Sequence, residues 1–261
     1  MTRRPQQPRP PAHPHQSAIN RALHSFPVLL PPSAVVEPIH PDPVAPWAHP
    51  PPVAIEMAES KEAGKLTHEA LEAGSRDAEG AQVVFYTDGS LKEGLGSGAT
   101  MRVWGEGEEL GEVERRRGLG RFQTVHVAEL EGVRQGLAAV STLSSALPLT
   151  SIVTLLDNSA VVSHPFDPSP TLGQHLCLLI PDAFLVLHRT FPAATLVVQW
   201  VSGHVGVEGN ERADDLANAA SDEAKAEDEA LEKQAAPQTR RRRGGGFFQR
   251  EMIPPAGAVL A

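Results

Sequence analysis

Between residues 81 and 221, short strand-like runs and longer helical stretches follow one another in an order that few folds can accommodate. Three runs come first, AQVVFYTDGS, GSGATMRVWG and GEELGEVERRRG, separated by glycine-rich turns. Two further runs, SIVTLLD and ATLVVQWV, alternate with stretches of helical period. The order β-β-β-α-β-α-β-α predicts an α/β fold, a five-stranded mixed sheet with helices packed on it.

Apolar residues at helical spacing identify the stretches between these strands. In TVHVAELEGVRQGLAAVSTL, one face carries Leu130, Val133, Leu137 and Val140, which predicts an amphipathic helix. The stretch TLGQHLCLLIPDAFLVLHRTFP is also largely helical, and Pro181 either kinks this helix or divides it in two.

The last helix of the unit follows the stretch HVGVEGNERADDLANAA. Asn210 is a suitable N-cap for it, and its apolar stripe consists of Ala213, Leu216, Ala217 and Ala220. At about 100° per residue, Asp214 lies roughly 110° from the centre of the stripe and Asp215 roughly 150°. We therefore expect Asp214 to border the core and Asp215 to point to solvent.

The flanking segments differ in composition from this unit. Residues 1–54 are crowded with proline and show no sustained period, which predicts a flexible, partly polyproline-like arm. Residues 54–77 combine helix-forming residues with a thin apolar stripe and predict a surface helix or linker. The predicted division is an arm and linker (1–80), a folded unit (81–221), and a charged helical extension with a disordered tail (222–261).

Charge and cysteine content narrow the class of protein. The formal net charge of −9 argues against binding nucleic acid through bulk charge, although Arg115–Arg117 and Arg240–Arg243 form basic clusters. The second cluster is either a solvated tail or a nuclear-localisation or phosphate-binding patch. Cys177 is the single cysteine, and the sequence has neither an 18-residue apolar run nor a hydrophobic signal core. These features predict an intracellular protein, nuclear or cytoplasmic, with no membrane segment.

Three acidic residues occupy positions that suit chemistry as well as structure. Asp88 and Asp157 each end a strand, and ligands of open α/β sheets bind beyond the carboxyl ends of strands. Each is also compatible with an ordinary turn, since Asp-Gly and Asp-Asn favour turns. Glu129 precedes the apolar anchor Leu130, so it lies beside the buried face, where an unpaired carboxylate is costly. A solvated glutamate at the rim is the alternative.

Carboxylates that converge on one point repel one another unless cations lie between them. Oxygen ligands without a Cys or His cluster favour Mg²⁺ or Mn²⁺ over zinc, and such ions complete their coordination with water and substrate phosphate. The pattern therefore favours phosphoryl-transfer chemistry with two ions about 4 Å apart. His204, on the glycine-rich loop before the last helix, is a candidate for proton transfer or product release. The alternative is an ordinary surface histidine.

Four motifs, taken together, resemble a known family. YTDGS, AELEGV, LLDNSA and WVSGHVGVEGNERADDLA, in this order and spacing, resemble type 1 ribonuclease H domains, and most closely the C-terminal ones of retrotransposon reverse transcriptases. The resemblance covers residues 81–221. The stretch PWAHPPPVAIEMAESKEAGKLTHEA is also similar to the segment that precedes this domain in fungal retroelement polyproteins. The resemblance implies a retroelement remnant or a domesticated copy.

The resemblance implies a ribonuclease H-like fold and endonucleolytic cleavage of the RNA strand of RNA–DNA hybrids. It implies two Mg²⁺ ions, with Mn²⁺ as a substitute, bound by Asp88, Glu129, Asp157 and Asp214. His204 would be the catalytic loop histidine. The substrate contacts would be Gly89, Ser90, Asn158 and Asn210, with recognition through phosphates and 2′-hydroxyls. A monomer is expected, with a reverse transcriptase as a possible partner acting in trans.

The sequence departs from the family pattern at several points. Ser202 stands where the family usually has proline before Gly-His, which is expected to loosen the histidine loop. Asn158 replaces the usual serine after the third aspartate and can still donate a hydrogen bond. The short connection after Asp157 has no room for the basic handle helix of some cellular members. Hybrid affinity should therefore be weak, with Arg115–Arg117 or the C-terminal arginines supplying phosphate contacts.

Two alternative functions remain open at this point. A catalytically decayed retroelement domain would be a nucleic-acid-binding module tethered by Arg240–Arg243. DNA strand transfer of the integrase or transposase type belongs to the wider fold superfamily. The Gly-His-x-Gly-x-x-Gly-Asn-Glu loop disfavours this second alternative, because those enzymes do not resemble it.

Overall fold

The computed structural model describes residues 37, 39–41, 43, 50–77, 80–92, 94–105, 108–120, 123–167, 170–203 and 206–235. Within these residues the strands are β1 (Val53–Glu56), β2 (Ala81–Leu91), β3 (Leu95–Gly105), β4 (Glu108–Gly118), β5 (Leu149–Leu156) and β6 (Thr195–Trp200). The helices are α1 (Lys61–Asp77), α2 (Val125–Val140), α3 (Ser159–Ser163), α4 (Gln174–Thr190) and α5 (Glu208–Ala235). His204 and Arg240–Arg243 lie outside the described residues.

The strands form one mixed sheet with the order β1-β6-β5-β2-β3-β4. β2, β3 and β4 are an antiparallel meander, whereas β1, β6, β5 and β2 run parallel to one another. The predicted α/β class is confirmed, and so is the order β-β-β-α-β-α-β-α from residue 81, except that the short helix α3 between β5 and α4 was not predicted. The predicted number of five strands is wrong, because β1 adds a sixth.

β1 lies in the segment that was expected to be arm and linker. It pairs with β6 over four residues, from Val53 opposite Leu196 to Glu56 opposite Gln199. A four-residue strand is too short to show a period of its own in a proline-rich context. Its formation depends on the free edge of β6, which lies more than 130 positions away in the chain.

The sheet is covered by helices on both faces. One face packs against α2 and α4 in a core that includes Phe85, Leu130, Ile152, Ile180 and Phe184. The other face, with Val84, Tyr86, Val153, Leu155 and Val201, packs against Val207 and Ala213 at the start of α5 and against Leu71 of α1. The four anchors predicted for α2 are all buried, at 0 to 3% exposure. No helix within the described residues is long and apolar enough to cross a membrane.

α4 is one continuous helix, so Pro181 does not divide it. Its N-cap Gly173 has φ 83° and offers no side-chain cap. The side chain of Glu37, which is far from Gly173 in the sequence, caps the helix instead. Its carboxylate accepts hydrogen bonds from the backbone N–H groups of Gly173 and His175, both at 2.9 Å. The Gln174 side chain and the His40 backbone exchange two more bonds. Part of the proline-rich segment is therefore docked on the sheet domain.

α5 begins at Glu208, two residues before the predicted cap, so the assignment of Asn210 as N-cap is wrong. Gly206, with φ 82°, turns the chain early enough for the helix to start there. Glu208 and Glu211 in the first turn are favourable near the positive end of the helix dipole. The predicted stripe is confirmed, since Ala213, Leu216, Ala217 and Ala220 are all buried.

Candidate active site

Two aspartates meet where the parallel pairing of β2 and β5 ends. The last paired residues are Thr87 and Leu156, so Asp88 and Asp157 are the residues that directly follow this pair in the chain. The carboxyl ends of parallel strands are the edge at which α/β proteins bind ligands. Glu129 reaches this edge from the second turn of α2, which Thr124 caps through a hydrogen bond to the Val127 N–H.

The three carboxylates form one cluster. One oxygen from each of Asp88, Glu129 and Asp157 lies within 4.8 Å of the other two. Asp88 and Glu129 are 6% and 5% exposed, while Asp157 is half-buried. The structure thus brings together three of the four acids that the resemblance assigns to metal binding.

Gly89 allows this close approach. A Cβ at this position would lie 2.6 Å from the backbone nitrogen of Glu129, closer than any side-chain carbon can be. Any larger residue would push α2 away from β2 and would separate Glu129 from Asp88. The Gly89 N–H also donates a hydrogen bond of 2.7 Å to Asp88 Oδ1.

Burial makes the charged forms of two of these acids unfavourable. Burial and, to a lesser degree, the charge of Asp157 raise the pKa of Asp88 to about 7, although the hydrogen bond from the Gly89 N–H acts in the opposite direction. Burial, together with repulsion from Asp88 and Asp157, raises the pKa of Glu129 to about 9. A hydrogen bond from the Asn158 side chain lowers the pKa of Glu129 in part.

Two features of the cluster fit a hard divalent cation: its ligand atoms are all carboxylate oxygens, and one of these oxygens lacks a hydrogen-bond partner among the described residues. Glu129 Oε2 is buried and has no hydrogen-bond partner among the described residues. Buried carboxylates of this kind are stabilised when positive charge lies between them. Oxygen donors alone favour Mg²⁺ or Mn²⁺ over softer metals.

Asp214 lies beside this cluster on α5 and is half-buried, whereas Asp215 is exposed, as the helical register predicted. The charge of Asp214 contributes to the raised pKa values of Asp88 and Glu129, so its carboxylate lies within electrostatic range of the cluster. Its Oδ1 accepts a hydrogen bond of 3.0 Å from Asn218 Nδ2.

Asn218 is a site residue that the sequence analysis missed. Its Oδ1 accepts a hydrogen bond of 2.5 Å from the Ser90 hydroxyl, while its amide donates to Asp214. Asn218 therefore links the end of β2 to the fourth acid. The available signal was its spacing of four residues after Asp214, which places both on one helix face.

The other proposed substrate contacts occupy different positions. Gly89 and Ser90 directly follow Asp88 on β2. Asn158 caps α3 by accepting a hydrogen bond of 3.1 Å from the Ala160 N–H, and its side chain also bonds Glu129. Asn210 is only 1% exposed, so a substrate has no direct access to it in this structure.

The end of β6 forms the wall beside Asp157. The Trp200 indole N–H donates a hydrogen bond of 2.9 Å to the Asp157 backbone carbonyl. A Cβ on Gly203 would lie 2.2 Å from Asp157 Oδ2, so the chain passes directly against this carboxylate. Gly203 immediately precedes His204 in the sequence.

The arginines Arg115–Arg117 lie on the edge strand β4. Register places Asp88 opposite Gly98 and Gly98 opposite Arg116, so Arg116 occupies the same cross-strand row as Asp88. Arg116 pairs with Glu223 of α5 at 2.6 Å, and Arg117 pairs with the buried Glu131 at 3.0 Å. Two of the three predicted phosphate contacts are therefore already bound to carboxylates.

No protein-family model matches the chain, and no curated protein matches it. Among solved structures, one similar to this chain is the N-terminal RNase H domain of a Mycobacterium tuberculosis protein, solved as a fusion with maltose-binding protein. It is 25% identical in sequence, the match covers 57% of this chain and 99% of that chain, and the TM-score is 0.38. RNase H1 of the archaeon Halobacterium salinarum is 20% identical, with coverage of 54% and 98% and a TM-score of 0.37. LC11-RNase H1, isolated from compost by a metagenomic approach and solved with an RNA/DNA hybrid, is 22% identical, with coverage of 54% and 98% and a TM-score of 0.38. At these TM-scores, function has to be inferred from the residues of the site.

Proposed function

We propose that this chain is a metal-dependent endonuclease that hydrolyses the RNA strand of RNA–DNA hybrids, of the type 1 ribonuclease H kind. The observation that supports it most is the buried cluster of Asp88, Glu129 and Asp157 at the carboxyl edge of the sheet. These residues stand in the motifs YTDGS, AELEGV and LLDNSA, which resemble those of ribonuclease H domains.

The metal site would consist of these three carboxylates together with Asp214. Two Mg²⁺ ions, or Mn²⁺ in their place, would supply water activation and neutralisation of the charge that develops at the scissile phosphate. Asn158 holds the Glu129 side chain, and Asn218 holds Asp214, so the carboxylates are oriented by groups of the protein. We assign proton transfer or product release to His204, the residue after Gly203 in the sequence.

Substrate recognition would combine the backbone at Gly89 and Ser90 with contacts to phosphates and 2′-hydroxyls. Such contacts do not depend on base sequence, so cleavage at many positions of a hybrid is expected. Arg116 lies two strands from Asp88, about 10 Å away at the usual strand spacing. Its guanidinium would contact a hybrid phosphate in competition with Glu223.

The direct test is cleavage of a labelled RNA–DNA hybrid by the full chain, with Mg²⁺ or with a chelator. We expect Mg²⁺-dependent products with 5′-phosphate and 3′-hydroxyl ends, and no cleavage of double-stranded DNA. Asp88→Asn and Asp214→Asn should each reduce kcat by at least about 100-fold, because each removes a ligand charge. Asp215→Asn is the matched control and should retain activity, since Asp215 is exposed.

Two results would overturn the proposal: no cleavage where a control ribonuclease H is active, or full activity in Asp88→Asn. A greater loss in Asp215→Asn than in Asp214→Asn would contradict the assigned helix register. Hybrid binding without cleavage, unaffected by Asp88→Asn and reduced by substitution of Arg240–Arg243, would support the alternative of a non-catalytic binding module.

A further inference from the structure

Helix α1 is attached to the loop that leads from β6 into the candidate site. Ser60 caps this helix by accepting a hydrogen bond of 3.1 Å from the Ala63 N–H. At the next residue, the Lys61 carbonyl accepts a hydrogen bond of 2.7 Å from the Ser202 hydroxyl. Ser202 is fully buried, and 141 positions separate it from Lys61. The bond therefore ties the first turn of α1 to the residue that follows Val201 in the loop.

The rest of α1 is seated on the same face of the sheet. Gly64 is buried against the Trp200 ring, and a Cβ there would lie 3.0 Å from a ring carbon of Trp200. One turn later, the buried His68 ring packs edge-on against Tyr86 of β2, with centroids 5.6 Å apart. These contacts fix the position of α1 relative to both β6 and β2.

The contacts continue from Ser202 into the carboxylate cluster. Gly203 lies directly against the Asp157 carboxylate, and the Trp200 indole bonds the Asp157 backbone. A shift of Ser202 would therefore move the wall on which Asp157 rests.

We propose that α1 is a positioning element of the site and that Ser202 is the positioning residue through which it acts. A serine at this place replaces the proline that ribonuclease H domains usually carry before Gly-His. The hydrogen bond to α1 supplies, from outside the loop, a constraint that a proline ring would supply within it. The catalytic consequence rests on the proposed function, whereas the consequence for metal binding does not.

The test is Ser202→Ala in the full chain, measured for Mn²⁺ binding without substrate and for hybrid cleavage. We expect Mn²⁺ affinity to fall about tenfold and kcat to fall about tenfold, because small displacements of a ligand are costly at such sites. KM for the hybrid should change less than about twofold, since Ser202 is buried and does not touch substrate.

Thr67→Ala is the matched control. It removes an exposed hydroxyl of the same helix that bonds a backbone carbonyl, Ala63 O, at 2.9 Å, and it should leave Mn²⁺ affinity and kcat at wild-type values. Gly64→Ala is a second variant. Its added methyl group crowds Trp200 and Ser202, so it should act in the same direction as Ser202→Ala.

The proposal is overturned if Ser202→Ala and Gly64→Ala lower Tm but leave Mn²⁺ affinity and kcat unchanged well below Tm. That result would define α1 as a purely stabilising element. If the wild-type chain binds Mn²⁺ but does not cleave hybrids, and Ser202→Ala weakens the binding, the positioning role stands and the proposed function fails.

Discussion

Among single residues, Glu129 has the least favourable surroundings for a charge. Burial, followed by repulsion from Asp88 and Asp157, raises its pKa to about 9, and its Oε2 has no hydrogen-bond partner among the described residues. In the folded protein without a cation, this carboxyl therefore keeps its proton up to about pH 9. In the unfolded chain it releases the proton at about pH 4.5. Because the unfolded state binds fewer protons at this residue, the contribution of Glu129 to the free energy of unfolding falls as pH rises from about 4 to 9.

Glu129→Gln should remove this cost while keeping the shape of the side chain and its hydrogen bond to Asn158. We expect Tm in the presence of a chelator to rise by roughly 5 °C at pH 8. The rise should vanish near pH 4, where the glutamate is protonated in both states. Thermal unfolding at the two pH values checks this prediction.

Glu109→Gln, at an exposed position of β4, is the control and should change Tm little at either pH. An equal rise of Tm for Glu129→Gln at pH 4 and pH 8 would contradict the electrostatic explanation. It would point to better packing of the amide instead.

Residues whose roles depend on helical period alone were predictable. The partial burial of Asp214 and the exposure of Asp215 follow from the Ala-Leu stripe of one helix, which is a local pattern. The roles of Asn210 and Asn218 depend on where the preceding loop ends and on which strand lies beside the helix. Both depend on tertiary structure, so the sequence placed the N-cap of α5 wrongly and did not predict the contact of Asn218 with Ser90.

At the scale of secondary-structure elements, the same division between local and distant determinants holds. The five strands from residue 81 onward were each predicted, β2, β5 and β6 from apolar runs of their own and β3 and β4 with the help of the glycine-rich turns that separate them. β1 has only the four residues VAIE, two of which pair with Leu196 and Val198 on the same sheet edge. Its formation depends on pairing with β6, and the sequence near residue 53 carries no signal of that pairing.

α4 is another element whose stability depends on a distant residue. Burial raises the pKa of Glu37, but hydrogen bonds from His175 and Gly173 outweigh it, so the pKa is lowered from its ordinary value of 4.5. The stabilisation is therefore present at neutral pH and is lost as pH falls through the lowered pKa. Glu37→Gln should lower the free energy of unfolding by about 1 kcal/mol at pH 7, as for loss of a helix cap.

Urea denaturation at pH 7 and pH 3 measures this difference between wild type and Glu37→Gln. We expect the difference to shrink at pH 3, where protonation weakens the carboxylate cap. Glu59→Gln is a suitable control, because Glu59 is an exposed glutamate of the same N-terminal segment. Identical unfolding curves for Glu37→Gln and wild type at pH 7 would show that the cap does not contribute.

At the scale of the whole molecule, an acidic protein is proposed to bind a polyanion. The net charge is −9, and the arginines nearest the site are paired with Glu223 and Glu131. Attraction to a hybrid therefore depends on a few local contacts and should be weak at physiological ionic strength. The sequence indicated this weakness through its charge, but the partners of Arg116 and Arg117 come from other elements and required the structure.

Arg116→Gln should lower hybrid affinity several-fold at low salt. It should also reduce the slope of log affinity against log salt concentration by about 1, because one phosphate contact is lost. A salt titration of hybrid binding to the full chain measures both quantities. Arg189→Gln, at the exposed end of α4, should change neither one, and an equal effect of the two substitutions would indicate non-specific charge attraction.

The pairing of β1 with β6 also determines where the chain can be shortened for expression. A fragment that begins at residue 81 leaves the apolar strand TLVVQW at an open edge, with backbone groups free to pair with another molecule. Such an edge promotes self-association during purification. A fragment that begins before Glu37 retains both the strand that covers this edge and the carboxylate that caps α4.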